Sequence, residues 1–67
     1  MAGGKTPAAD EEILIEFVIH GNVARVTAIH AASGAEATIV GPATAPRAAL
    51  EAAASRKLVY VMSKGKG

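Results

Sequence analysis

The chain of 67 residues has no cysteine and no tryptophan, and one phenylalanine and one tyrosine make up its whole aromatic content. Without thiols, neither a disulfide framework nor a thiolate zinc site can support a small fold, and nothing points to an oxidising compartment. Large apolar side chains are scarce as well. Leu, Ile, Val and Phe supply 15 residues, while 16 alanines raise the hydrophobic fraction to 51% without filling much volume. A domain of this length buries only roughly 60% of its unfolded surface, so the core has to be thin and tightly packed. Long hydrophobic runs are missing too. Ile13 to Ile15 and Phe17 to Ile19 are far too short to cross a bilayer, and the N-terminus lacks the charged and then apolar run of a signal peptide. The expectation is a soluble, cytoplasmic protein without a membrane contact.

The net charge is +1, unevenly spread. Asp10, Glu11, Glu12, Glu16 and Glu36 face only Lys5 and Arg25 in the first part of the chain, whereas Arg47, Arg56, Lys57, Lys64 and Lys66 face only Glu51 in the second. This asymmetry is the one electrostatic hint of a partner.

Residues 1–11 mix Gly, Pro, Ala and charge without periodicity and read as a disordered N-terminal tail, as residues 63–67 do at the C-terminus. Between them, residues 12–62 form a single domain. β-Branched and aromatic residues run in short stretches from Glu12 to Val40, divided by turn signals, which predicts a three-stranded antiparallel meander. Gly21-Asn22 suits a type II′ hairpin, and that choice sets His20 opposite Val23, Ile19 opposite Ala24, Phe17 opposite Val26 and Ile15 opposite Ala28. Ile13, Ile15, Phe17, Ile19, Ala24, Val26 and Ala28 then share one uncharged face. A second turn at Ala32-Ser33-Gly34 leads into a third strand, Ala35 to Val40, which adds Ala37 and Ile39 to that face and ends at Gly41-Pro42.

After Pro42 the period changes. Thr44 as cap, Pro46 in the first turn and a stripe of Leu50, Ala54, Leu58, Val61 and Met62 predict a helix that covers the apolar sheet face. The run Leu58-Val-Tyr-Val-Met62 also alternates like a fourth strand, although no Gly, Pro or Asn separates it from the alanine-rich helix. The expected fold is α+β: a three-stranded antiparallel β-meander packed on one C-terminal α-helix (βββα).

Candidates for chemistry are few. Gly4-Lys5-Thr6 imitates the end of a phosphate-binding loop but lacks the earlier glycine and the preceding strand. His20 and His30 fall at opposite ends of the sheet, and neither has carboxylates at metal-ligand spacing, so no metal and no catalytic residue is assigned. Hydroxyls at Thr27, Ser33, Thr38, Thr44 and Ser55 sit where turns, strand surfaces and caps account for them. Glu16 and Arg25 are near enough to pair diagonally across the outer face, with Glu36 in the same charged row. That face also carries Leu14, Val18, Val23 and Ile29, with Val40 beside them. So contiguous an apolar group, together with the unpaired edges of the first and third strands, points to a protein partner or a homodimer. The alternative is weak nucleic-acid binding through Arg56, Lys57, Lys64 and Lys66, although no aromatic residues interleave them for base stacking.

At Ile15-Glu-Phe-Val18, Gly21-Asn22, Val26, Ser33-Gly34, Ile39-Val-Gly-Pro-Ala43, Lys57-Leu58 and Tyr60-Val61, the chain resembles a family of short bacterial proteins of unknown function. The likeness spans residues 12–62 and consists of turn glycines, core positions and a strand-to-helix Gly-Pro, so it implies no catalytic residue and no cofactor. Some of these relatives are labelled serine hydroxymethyltransferase, a pyridoxal-phosphate enzyme. Such an enzyme needs a large fold and a Schiff-base lysine in a cofactor pocket, which a chain with only Lys57 near structured surface does not supply. The expected role is that of a small, non-enzymatic interaction or accessory protein.

Overall fold

The computed structural model describes residues 12–65, so the segment 1–11, with its Gly4-Lys5-Thr6, and Lys66 lie outside the described residues. Three strands, β1 (Ile13–His20), β2 (Val23–His30) and β3 (Glu36–Pro42), are followed by one helix, α1 (Arg47–Gly65). The sheet is antiparallel in the order β1-β2-β3, the expected βββα meander.

The first hairpin has the register that its turn dictates. His20 pairs with Val23, Phe17 with Val26 and Ile15 with Ala28. Gly21 has φ 62 while Asn22 stays at negative φ, as a type II′ turn requires. The second turn uses Gly34 at φ 78, and the Gly34 amide donates to the His30 carbonyl at 2.8 Å.

Strand β3 ends at Gly41-Pro42 as expected, but takes both in as its last two residues, and it begins at Glu36 rather than Ala35. Hydrogen bonding to β2 alternates along β3, and the bond from the Ala43 amide to the Asn22 carbonyl fixes its phase. Ala37, Ile39 and Gly41 therefore bond to β2, while Glu36, Thr38, Val40 and Pro42 turn their backbone groups to the open edge. A proline at an outward position takes no donor from the ladder, so the strand tolerates it.

Thr44 is not the helix cap. It lies in a turn closed by the Ala45 amide on the Pro42 carbonyl, and the Pro46 carbonyl accepts the first helical bonds, from Ala49 and Leu50. Proline has no N–H to leave unsatisfied at a helix start, which suits it to this place. Residues 58–62 are helical, and the helix continues to Gly65, past the boundary expected at Met62.

Ala24, Val26, Ala28, Ala37, Leu50, Ala54 and Leu58 form the buried core. Along β2 the order is small, large, small; along α1 it is large, small, large. Two residues of strand rise ~6.8 Å and four of helix ~6 Å, so Leu50, Ala54 and Leu58 keep step with Ala24, Val26 and Ala28. Gly41 extends the fit, since a Cβ there would come within 2.9 Å of Leu50 Cδ2.

The helix does not cover the whole inner face. It packs chiefly on β3 and β2, leaving Ile13 39% and Ile19 57% exposed, although both were expected in the core. The cause is width: a helix ~10 Å across spans about two strands at ~4.8 Å spacing. Phe17 is half-buried against the core, and the guanidinium of Arg47, the first residue of α1, lies 4.1 Å from its ring centroid.

Leu58 is fully buried at the centre of this contact. Leu58→Ala is expected to cost about 2–5 kcal/mol, which a domain with so thin a core can scarcely lose, and urea unfolding monitored by circular dichroism reads the effect.

Candidate interaction surface

Alternation along the strands places Leu14, Glu16, Val18 and His20 of β1 on the face away from the helix. Ile29, Thr27, Arg25 and Val23 of β2 lie opposite them, followed by Glu36, Thr38, Val40 and Pro42 of β3. Among the described residues no element covers this face. Leu14, Val18, Val23 and Val40 are exposed, Val18 to 50% and Val40 to 65%. Ile29 is only half-buried, so the predicted apolar group is present with Ile29 as its least accessible member.

The polar residues between them form no charged row. Glu16, Arg25 and Glu36 occupy different cross-strand rows, and among the described residues the one ion pair is Arg47 with Glu51, 3.4 Å apart along the exposed helix. The expected Glu16–Arg25 pair is not formed. Thr27 and Thr38, directly opposed, instead share a hydrogen bond between hydroxyls at 2.9 Å. At the hairpin end Val18, His20, Val23 and Arg25 line a shallow open depression of about 360 Å³. It brings an imidazole near a guanidinium but encloses nothing, unlike the concave sites that bury small ligands.

His30 stands at the other end of the sheet and serves the second turn. Its Nδ1 lies 2.7 Å from Ser33 Oγ and accepts the Ser33 amide at 3.3 Å, while the Ala35 amide donates to Ser33 Oγ at 3.2 Å. Because Nδ1 accepts the Ser33 amide, the Ser33 hydroxyl is the donor in its bond to the ring, and the proton of the neutral imidazole is assigned to Nε2. Among the described residues no group of His, Asp and Glu could hold a metal ion.

The basic residues do not converge either. Lys57 Nζ donates to the Thr38 carbonyl at 2.8 Å, on the outward side of β3. Lys64 lies with its Nζ 5.8 Å from the centroid of the exposed Tyr60 ring, one helical turn on, and Arg56 is exposed one turn before Tyr60. Lys57 is thus held at the sheet edge, apart from the stripe of Arg56, Tyr60 and Lys64.

The two edges of the sheet differ. At β3, Lys57 occupies the Thr38 carbonyl and Pro42 offers no N–H. At β1, the closing pair His20–Val23 and the bond from the Ala31 amide to the Glu12 carbonyl set the phase, so the even-numbered residues bond to β2. Ile13, Ile15, Phe17 and Ile19 therefore turn their amides and carbonyls outward, and β1 contains neither Lys nor Pro. Sequence reasoning noted both edges but missed this difference. The signal available was that one helix cannot span three strands.

Among the described residues, fold and surface together define a small two-layer α+β domain with one sheet face bare and one edge open. The chain belongs to the family described as a domain of unknown function (DUF6898), whose model matches residues 10–65. That agrees with the resemblance to a family without an established activity. No curated protein and no solved structure matches the chain. None of the described helices is long and apolar enough to cross a membrane.

Because Ser33 joins His30 to Ala35, Ser33→Ala is expected to lower stability by about 0.5–1 kcal/mol through the loss of solvent-exposed hydrogen bonds, with the β1–β2 register unchanged. A small drop in the urea midpoint at constant m-value is the expected reading.

Proposed function

We infer that this domain is a non-catalytic interaction module that docks another protein surface, a second copy included, on its outer sheet face. Leu14, Val18, Val23 and Ile29 would carry the contact, with Val40 beside them. The observation behind this reading is that Leu14, Val18, Val23 and Val40 are all exposed on a face that no described element covers. Single exposed apolar residues are ordinary, but a group gathered on one sheet face marks a surface suited to partners. The polar residues among them, Glu16, Arg25, Glu36 and the Thr27–Thr38 pair, would give such a contact its direction rather than its strength.

Val18→Lys combined with Val40→Lys tests the reading. Both side chains are at least half exposed, so the variant is expected to keep its circular dichroism and its unfolding midpoint. It is expected to lose the proteins that chemical cross-linking in cells joins to the wild type. An unchanged set of cross-linked proteins on a folded variant would remove the outer face as the interface.

A further inference from the structure

We propose that two copies of this chain pair antiparallel along the free edge of β1, centred on Phe17, to form one continuous sheet with both helices on the same side. The proposal rests on the edge and on the inner face, so it stands or falls separately from the outer-face reading.

The contrast between the edges carries it. Natural sheets protect their borders with lysines, prolines or a covering element, because a row of unpaired amides and carbonyls is a template for another strand. Lys57 and Pro42 guard β3 in this way. The border of β1 has no such guard among the described residues. Its outward backbone groups belong to Ile13, Ile15, Phe17 and Ile19, whose side chains lie on the inner face at the margin of the helix: Ile15 and Phe17 are half-buried against the core, while Ile13 is 39% and Ile19 57% exposed. A second β1 would satisfy the backbone and cover the side chains in one step.

The occupant is a second copy because the strand is complementary to itself in one register. A two-fold axis perpendicular to the sheet keeps inner faces inner and requires opposed residues of the same parity. Centring on Glu16 would set two carboxylates directly opposite each other, where like charges repel. Centring on Ile15 or on Val18 would pair only residues 13–17 or 16–20, a shorter part of the strand. Centring on Phe17 pairs residues 14–20, placing Phe17 against Phe17 and Ile15 against Ile19 inside, and Glu16 against Val18 and Leu14 against His20 outside. The outward backbone groups then face one another and bond. The two helices, each over β2 and β3, stay roughly four strand spacings apart, about 19 Å, well beyond the 8–10 Å of helices in contact, so they do not collide, and the Arg47 guanidinium of each copy stays over its own Phe17 ring.

Seven paired residues bury on the order of 500 Å² per copy, about 1,000 Å² in all, which is near the lower limit for a specific interface. The dimer is therefore reversible, with dissociation between the micromolar and the sub-millimolar range.

Sedimentation and light scattering of the full chain from about 5 μM to about 1 mM test this, with Ile19→Lys and Ala49→Lys alongside. The wild type is expected to pass from monomer to dimer. Ile19→Lys, a change at an exposed site that brings a charge against Ile15 of the other copy, is expected to shift the midpoint at least tenfold upward. Ala49→Lys, at an exposed helix site outside both the β1 edge and the outer sheet face, is expected to leave it unchanged. A wild type that stays monomeric throughout, or an Ile19→Lys midpoint equal to that of the wild type, would overturn the proposal. Amide exchange on the unmodified chain provides a check that needs no variant. The amides of Ile15, Phe17 and Ile19 should gain protection with concentration, whereas those of Leu14, Glu16 and Val18 are protected at any concentration. Equal protection of both sets at all concentrations would also overturn it.

Discussion

The domain depends on the contact between the stripe Leu50, Ala54, Leu58 and the strand residues Ala24, Val26, Ala28. Among the described residues these, with Ala37, make up the buried core, which alternates large and small side chains on both layers. With so few large apolar residues, separation of the layers by even a methyl group would leave voids that nothing else in the chain could fill. The alanines and Gly41 therefore bring the helix close enough for three aliphatic side chains, Val26, Leu50 and Leu58, to make a core. Most small domains bring the layers together by adding bulk. Here the helix is brought in instead.

That close approach has a geometric consequence. Once Leu50 and Leu58 are seated over the alanines of β2 and β3, the helix cannot also lie over β1, since its width is spent. Phe17 then receives a guanidinium as its cover, which is worth only about 0.5–1 kcal/mol at a surface site, and Ile13 and Ile19 receive less still. The same displacement brings Lys57 over the far border, where its ammonium reaches the Thr38 carbonyl. Protection of one edge and exposure of the other thus follow from a single choice of where the helix sits.

Much of this fold was legible in the residues. Gly21-Asn22 dictated the hairpin register, Gly34 marked the second turn, and the helical stripe named its buried members. What the residues concealed were effects that arise only when layers meet. A proline seems to belong beyond the strand until the phase of the ladder is known, and only then does Pro42 prove to stand at an outward position as the last residue of β3. Thr44 looks like a cap because of its type, yet the turn closed by Pro42 and Ala45 claims that place. Glu16 and Arg25 lie on adjoining diagonals but gain little from ordering two exposed side chains, and they stay apart. The outer apolar group was readable because strand alternation alone produces it, whereas the bareness of Ile13 and Ile19 required the width of the helix to be set against that of the sheet.

The outer face and the β1 edge are linked in a way that bears on how such a domain could work. Strand β1 contributes to both: Leu14 and Val18 to the outer face, Ile15, Phe17 and Ile19 to the edge and inner face. Joining two copies at β1 would set the outer apolar groups side by side and double their extent without any new side chain. A patch too small to hold a partner firmly on one copy would then be presented twice on one rigid sheet, and the second contact would form at a high effective concentration. A weak edge contact is enough for this, because a partner that spans both copies stabilises the pairing it depends on. A domain this small can in this way gain a broad surface from the strand that its own helix covers least.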